Sequence, residues 1–199
     1  MAILRSGGVV VYPTETLYAV GCNGLCAEAA LRVAAIKGRP QAKPLPLIIG
    51  DFDLLGQVTR DVPELARRLA ADFWPGPLSL LVEARPEIPC PVKDASGMVS
   101  VRHTPHPSAA RLSVEMGAPL VATSANLSGC PAVALPAELD PVLLARVDRA
   151  LLDPPYPSGG PPSTLVRLLP DGSLEVLREG AVTRAALLKR GYACDAVAR

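Results

Sequence analysis

Charge of either sign is nearly absent as an excess: 20 Lys and Arg against 19 Asp and Glu leave a formal net charge of +1 over 199 residues. No general basic field is present to attract nucleic acid, so any RNA contact has to be local and weak. Aromatic residues are only 4% of the chain, and no aromatic-basic stripe runs through it. No stretch approaches the roughly 18 apolar residues of a membrane span. The opening Met1-Ala2-Ile3-Leu4-Arg5 lacks the apolar core of a signal peptide. The five cysteines are odd in number and accompany no secretion signal, which predicts reduced thiols and a cytoplasmic protein with no membrane association. Cys22 and Cys26 form a lone C-x-x-x-C without a second pair, and they read as buried thiols. His103 and His106 stand three apart in a Pro-broken segment with no acidic partner close by, so no zinc site is expected. The P-loop spacing G-x-x-x-x-G-K-[ST] occurs nowhere. No Ser-His-Asp or Cys-His arrangement calls for a covalent intermediate, and no internal repeat is present.

What remains is a globular composition, 49% apolar and 20% charged, in a chain long enough for one well-cored domain. The 22 Pro and 16 Gly fall at segment ends and mark many tight loops. Residues 7–12 read as a buried strand stopped by Pro13, and 27–37 as an Ala-rich helix ended by Gly38 and Pro40. A second apolar run covers 45–49. A helix over 63–73 carries Leu65, Leu69 and Phe73 on one face. The turn Trp74-Pro75-Gly76-Pro77 leads into a strand over 78–82, and 98–101 is a short strand ending at Arg102. The pattern predicts a helix over 107–117, a buried strand over 119–123 and a helix over 137–147. A hairpin joins strands 163–169 and 173–178 through Asp171-Gly172, and a helix over 183–190 has Thr183 as its N-cap. Strands and helices interleave without a composition break. The fold class expected is therefore α/β: one domain over 1–199, a twisted mixed β-sheet flanked by helices.

Several polar groups sit where apolar segments end. Lys37 and Arg39 fit two readings: cations complementing a helix C-terminus, or a phosphate clamp of point charge plus planar fork. Ser124-Ala125-Asn126-Leu127-Ser128-Gly129 directly follows a predicted strand. It is either an ordinary turn or an anion-binding loop at the carboxyl end of a sheet. Arg102 either faces solvent or forks a carboxylate. Tyr12-Pro13-Thr14-Glu15-Thr16 either caps a turn or lines a small polar pocket for an amino-acid-sized ligand.

In this order the segments resemble the YrdC-like family of threonylcarbamoyladenylate synthases, over about residues 7–181. The family's P-T-E-T-x-Y appears within residues 9–18, its K-x-R as Lys37-Gly38-Arg39 followed by Pro44-Leu45, and its W-P-G-P at 74–77. Its R-x-P-x-x-P is matched loosely at 99–107, its S-x-N by Ser124-Ala125-Asn126, its S-T-[VIL]-V at 163–166 and its R-x-G by Arg178-Glu179-Gly180. No single motif decides, but seven in the right order are a specific signal.

The resemblance implies synthesis of threonylcarbamoyl-AMP and pyrophosphate from L-threonine, bicarbonate and ATP, a nucleotidyl transfer. A tRNA-modifying transferase complex would use the product. It implies that Lys37, Arg39, Ser124 and Asn126 hold the ATP phosphates with Arg178 near the nucleotide. Thr16, Arg102, Thr123 and Ser163 would hold threonine, with Arg102 on its carboxylate. Mg²⁺ is expected with the ATP rather than at a protein metal site. The length resembles the family's short form. One departure is Ala19, where the family commonly has Gly. A YciO-like sister branch also carries Ala there, but it typically lacks the K-x-R and S-x-N residues present here. The related carbamoyltransferase of hydrogenase maturation adds zinc-finger modules, for which this chain has no paired C-x-x-C. The alternative from another class is a double-stranded-RNA-binding module.

Overall fold

Val10-Val11-Tyr12 begin the sheet structure because β-branched and aromatic side chains pack well on a pleated surface. In the computed structural model, which describes residues 1–38 and 43–195, they follow a short helix α1 (Ala2–Arg5) and form β1 (Val10–Pro13). Then come β2 (Tyr18–Gly21), α2 (Ala27–Lys37), β3 (Leu47–Ile49), α3 (Glu64–Phe73), β4 (Leu78–Glu83) and β5 (Met98–His103). They are followed by α4 (Pro107–Met116), β6 (Leu120–Val121), β7 (Thr123–Ser124), α5 (Pro141–Leu144) and β8 (Arg149–Ala150). The hairpin β9 (Thr164–Leu168) and β10 (Leu174–Arg178) precedes α6 (Arg184–Lys189).

The α/β class with mixed sheets is what the structure has, and its strands divide between two sheets. One runs β7-β2-β1-β8, the other β10-β9-β4-β5-β3-β6. Parallel pairs (β1 with β8, β3 with β5, β4 with β9) sit among antiparallel ones. One apolar cluster draws Val11, Tyr18 and Val20 from the first sheet and Leu47, Leu80, Val101 and Val166 from the second. The opposite side of β1 packs Val10 and Tyr12 against Ala109 and Leu112 of α4. This is the two-sided burial that period-2 alternation produces.

Several local expectations hold. Helix α2 ends at Gly38, whose φ of 58° is the left-handed cap conformation that favours glycine. Gly172 turns the β9–β10 hairpin at φ 85°. The Thr183 side chain accepts from the Ala186 N–H to cap α6. On α3, Leu69 is buried while Leu65 and Phe73 are half-buried.

Two expectations are corrected. The strand expected over 119–123 is split by Ala122 into β6, paired with β3, and β7, paired with β2 in the other sheet. The first sheet captures Val121: its N–H donates to the Cys22 carbonyl at 2.9 Å, and its carbonyl accepts the Tyr12 hydroxyl at 2.6 Å. Only glycine fits opposite, since a Cβ on Gly21 would lie 1.6 Å from the Val121 oxygen. The helix expected over 137–147 is instead a 3₁₀ turn at Pro136–Glu138 and the four residues of α5. Pro141 drives Asp140 out of the helical region, and the Asp140 carboxylate restarts the chain by accepting from the Val142 N–H at 2.7 Å.

Candidate active site

The split between β6 and β7 leaves a cleft between the sheets. A cavity of about 670 Å³ occupies it, within the usual range for ligand sites. Ala122, the residue that passes from one sheet to the other, lines it.

Strand alternation builds its floor. On β4, Leu78 and Leu80 are buried in the core cluster while Ser79 and Leu81 line the cavity. On β5, Val99 and Val101 go to the core while Ser100 and Arg102 line the cavity. Ser163 just before β9 and Arg178 at the end of β10 complete that side. The Arg178 guanidinium donates to the Ser163 carbonyl at 3.1 Å through Nε and 2.8 Å through Nη2, and to the Ser163 hydroxyl at 3.2 Å. The Ser163 hydroxyl is itself 3.0 Å from that of Ser79. Gly180 is required here, because a Cβ on it would lie 2.0 Å from the Pro162 carbonyl oxygen.

The β1–β2 turn forms another wall. Thr14 closes it by donating its hydroxyl to the Leu17 carbonyl at 2.7 Å, and Thr16 lines the cavity. Glu15 pairs with Nη1 of Arg102, and its other carboxylate oxygen accepts from the Thr104 hydroxyl at 2.8 Å. Burial pushes the Arg102 guanidinium below its usual value, and neighbouring Arg178 acts in the same direction. The buried Tyr12 hydroxyl acts in the opposite direction. Tyr12 is structural: it is buried behind the turn, which pushes its hydroxyl well up.

The S-x-N loop emerges from β7. Thr123 and Ser124 line the cavity. Lys37, only 4% exposed at the end of α2, turns its ammonium onto this loop. It donates to the carbonyl of Ser124, and to the carbonyl and side-chain oxygen of Asn126 at 2.7 and 3.2 Å. Ser124 donates its hydroxyl to the same Asn126 oxygen.

Of the sequence-predicted residues, Thr16, Arg102, Thr123, Ser124, Ser163 and Arg178 meet at one cavity. Lys37 and Asn126 stand behind Ser124 rather than among the lining residues, and Arg39 lies outside the described residues. Sequence reasoning missed Ser79, Ser100, Thr104 and Lys43. For Ser79 and Ser100 a signal existed: each is a lone hydroxyl on the alternate face of an otherwise apolar strand.

The segment 153–162 lies along one edge of the cavity. Ser158 and Gly159 donate their N–H groups to the Glu15 and Thr16 carbonyls at 3.2 and 2.9 Å, and Gly160 and Pro162 line the cavity. Ala19 also lines it. It pairs with Ser124 in ordinary strand conformation, since no non-glycine residue has positive φ among the described residues. Cys22 is a buried thiol pushed up to about 12, and Cys26 is half-buried. Among the described residues no group of three or more His, Cys, Asp or Glu could hold a metal ion, and no helix is long and apolar enough to cross a membrane.

The family model named for Sua5, YciO and YrdC, and described as "Telomere recombination", matches residues 2–180. The chain belongs to this family. The threonylcarbamoyl-AMP synthase of Xanthomonas euvesicatoria pv. vesicatoria is 41% identical over 152 residues, 74% of this chain and 80% of that protein. The synthase of Bacillus subtilis is 40% identical over 131 residues, 65% of this chain but 38% of that one. Among solved structures, Sua5 of Pyrococcus abyssi complexed with L-threonine superposes with a TM-score of 0.87 at 30% identity, covering 98% of this chain and 57% of that one. YciO of E. coli gives 0.79 at 29%, covering 90% and 86%. The chain thus spans well under two thirds of its Bacillus and Pyrococcus relatives.

Proposed function

We propose that residues 1–199 form one YrdC-like domain that makes threonylcarbamoyl-AMP and pyrophosphate from L-threonine, bicarbonate and ATP. The observation that carries this reading is the convergence of Arg102 and Arg178 with the hydroxyl side chains of Thr16, Thr123, Ser124 and Ser163 on one cavity between the sheets. In the first step the threonine amine adds to bicarbonate and water leaves, giving a carbamate. A carbamate oxygen then attacks the α-phosphorus of ATP, and the bond to pyrophosphate breaks. The reactants repel one another, so fixed cations and N–H dipoles in a shared cavity offset that cost, and proximity protects the labile carbamate.

In this reading Arg102 takes the threonine carboxylate, with Thr16, Thr123 and Ser163 around the rest of the amino acid. Ser124 and Arg178 meet the nucleotide together with Arg39, and Lys37 and Asn126 hold the Ser124 loop in place against the phosphates. Mg²⁺ accompanying the triphosphate would be held by phosphates and water. The product would pass to a tRNA-modifying transferase complex in the cytoplasm, with at most weak direct RNA contact.

The test is pyrophosphate release by the purified protein with ATP, threonine and bicarbonate, each omitted in turn. Release that needs all three supports the synthase. No release, restored by Ala19→Gly, would place the chain functionally with the YciO-like branch, but the ordinary backbone at Ala19 gives no reason to expect that. Strong, salt-steep RNA binding without turnover would favour the binding module.

A further inference from the structure

Arg102 has one guanidinium nitrogen engaged and two that are not. Among the described residues its only hydrogen bond runs from Nη1 to Glu15, so Nε and Nη2 remain. Those two form the side-on fork that matches a carboxylate. Arg102 lines the cavity and Glu15 does not, so the carboxylate grips the guanidinium from behind.

Resting on the threonine reading above, we propose that Glu15 is a positioning residue for amino-acid recognition: it locks the Arg102 fork so that Nε and Nη2 face the ligand carboxylate. Glu15 is itself fixed at three points. Arg102 holds one side-chain oxygen and the buried Thr104 hydroxyl the other at 2.8 Å, while its backbone carbonyl accepts from the Ser158 N–H at 3.2 Å. Side-chain exposures of 9% for Arg102 and 14% for Glu15 place the pair largely out of water. A ligand that displaced Glu15 would strand a buried carboxylate, which is strongly unfavourable. One that docks on the free edge leaves the pair intact. Arg178, close enough to depress Arg102, adds positive charge that offsets the repulsion between the two carboxylates.

Two measurements test this. Side-chain ¹⁵N–¹H spectra should show hindered rotation of the Arg102 Nη1 group in the native protein, and its loss in Glu15→Gln. A freely rotating native guanidinium, or one unchanged by the substitution, overturns the proposal even if the variant folds poorly. Calorimetry should show L-threonine binding roughly tenfold weaker in Glu15→Gln, with ATP affinity unchanged and a smaller shift in Thr104→Val. In turnover the loss should appear in KM for threonine, with kcat at saturation retained. Tighter threonine binding in Glu15→Gln would make Glu15 a competitor of the ligand and refute positioning. Equal losses for threonine and ATP would reduce it to a structural role. If native protein binds no threonine while the spectra show Glu15-dependent locking, the functional reading fails and the positioning of Arg102 stands.

Discussion

Arg102 and Arg178 line the same cavity, both with guanidinium groups depressed by burial, yet they are held by opposite chemistry. Arg102 is tied to a carboxylate, while Arg178 is tied to the neutral carbonyl and hydroxyl of Ser163. A carboxylate cancels much of a cation's field but fixes its orientation. Neutral oxygens orient the cation and leave its charge intact. The Arg102 side therefore suits a ligand that carries one carboxylate and little net charge, such as a zwitterionic amino acid. The Arg178 side suits a polyanion such as a triphosphate. In the proposed reading, the cavity sorts two ligands by how each arginine is anchored.

The largest effect that could break this comparison is on stability. Arg102→Ala strands the buried Glu15 carboxylate and should cost about 3–5 kcal/mol in urea unfolding. Arg178→Ala leaves only neutral oxygens behind and should cost about 1 kcal/mol. Equal midpoint shifts would mean that Glu15 is not a true counter-charge.

Ligand binding sharpens it next. Arg178→Ala should weaken ATP by about 1.5–3 kcal/mol, the usual worth of a charge-assisted contact, and weaken threonine less, because it acts there only at a distance and through Ser163. Added salt should reduce the ATP affinity of the native protein more than its threonine affinity, because screening acts on net charge. Calorimetry at two salt concentrations checks both points, and a parallel loss of the two ligands would erase the distinction between the arginines.

A smaller effect probes Ser163, which anchors Arg178 and faces the amino acid in the proposed reading. Ser79→Ala removes one hydroxyl contact to Ser163, worth about 0.5–1.5 kcal/mol. It should lower the thermal midpoint slightly, with a minor loss in ATP affinity through Arg178 and a loss for threonine, through Ser163, that is no larger. A threonine effect larger than the ATP effect would move Ser79 to the other side of the comparison.

How far the sequence foretold these two sides follows from what fixes each. The Arg178 side stands on the β9–β10 hairpin, and Asp171-Gly172 announces that locally through turn chemistry. Helix α2, ending at Gly38, was equally legible, because alanine content and a left-handed cap are local signals. The Arg102 side depends on contacts 87 and 89 residues apart in sequence, from Arg102 and Thr104 back to Glu15, and no periodicity encodes those. Likewise, the break at Ala122 accompanies the capture of Val121 by Tyr12 and Cys22, with Gly21 leaving room for it, and nothing within 119–123 signals it. The family motifs named six residues of the cavity, but their order along the chain did not say which would face it. Lys37 and Asn126 match the pattern and stand behind Ser124, outside the lining of the cavity.

The smallest expected effect is a pH slope confined to the Arg102 side. His106 is 5% exposed at the start of α4, with Nε2 3.0 Å from the Pro155 carbonyl, so its proton sits on Nε2 and donates. Nδ1 is buried with no hydrogen-bond partner among the described residues. Protonating it would create a buried N–H without an acceptor, and burial accordingly pushes this histidine below its usual value. The sign follows from linkage. The neutral form is stabilising above the unfolded value of about 6.5, and as pH falls below it the unfolded chain takes the proton first, so stability drops. Pro155 belongs to the segment whose Ser158 and Gly159 bind the Glu15 and Thr16 carbonyls. Acidification toward pH 5 should therefore weaken threonine before it weakens ATP. The chain has only two histidines, so comparing the native protein with His106→Gln between pH 7.5 and 5 isolates this group. A shallower slope in the variant, in both urea midpoint and threonine affinity, is the expected result. Identical slopes would detach His106 from the Arg102 side.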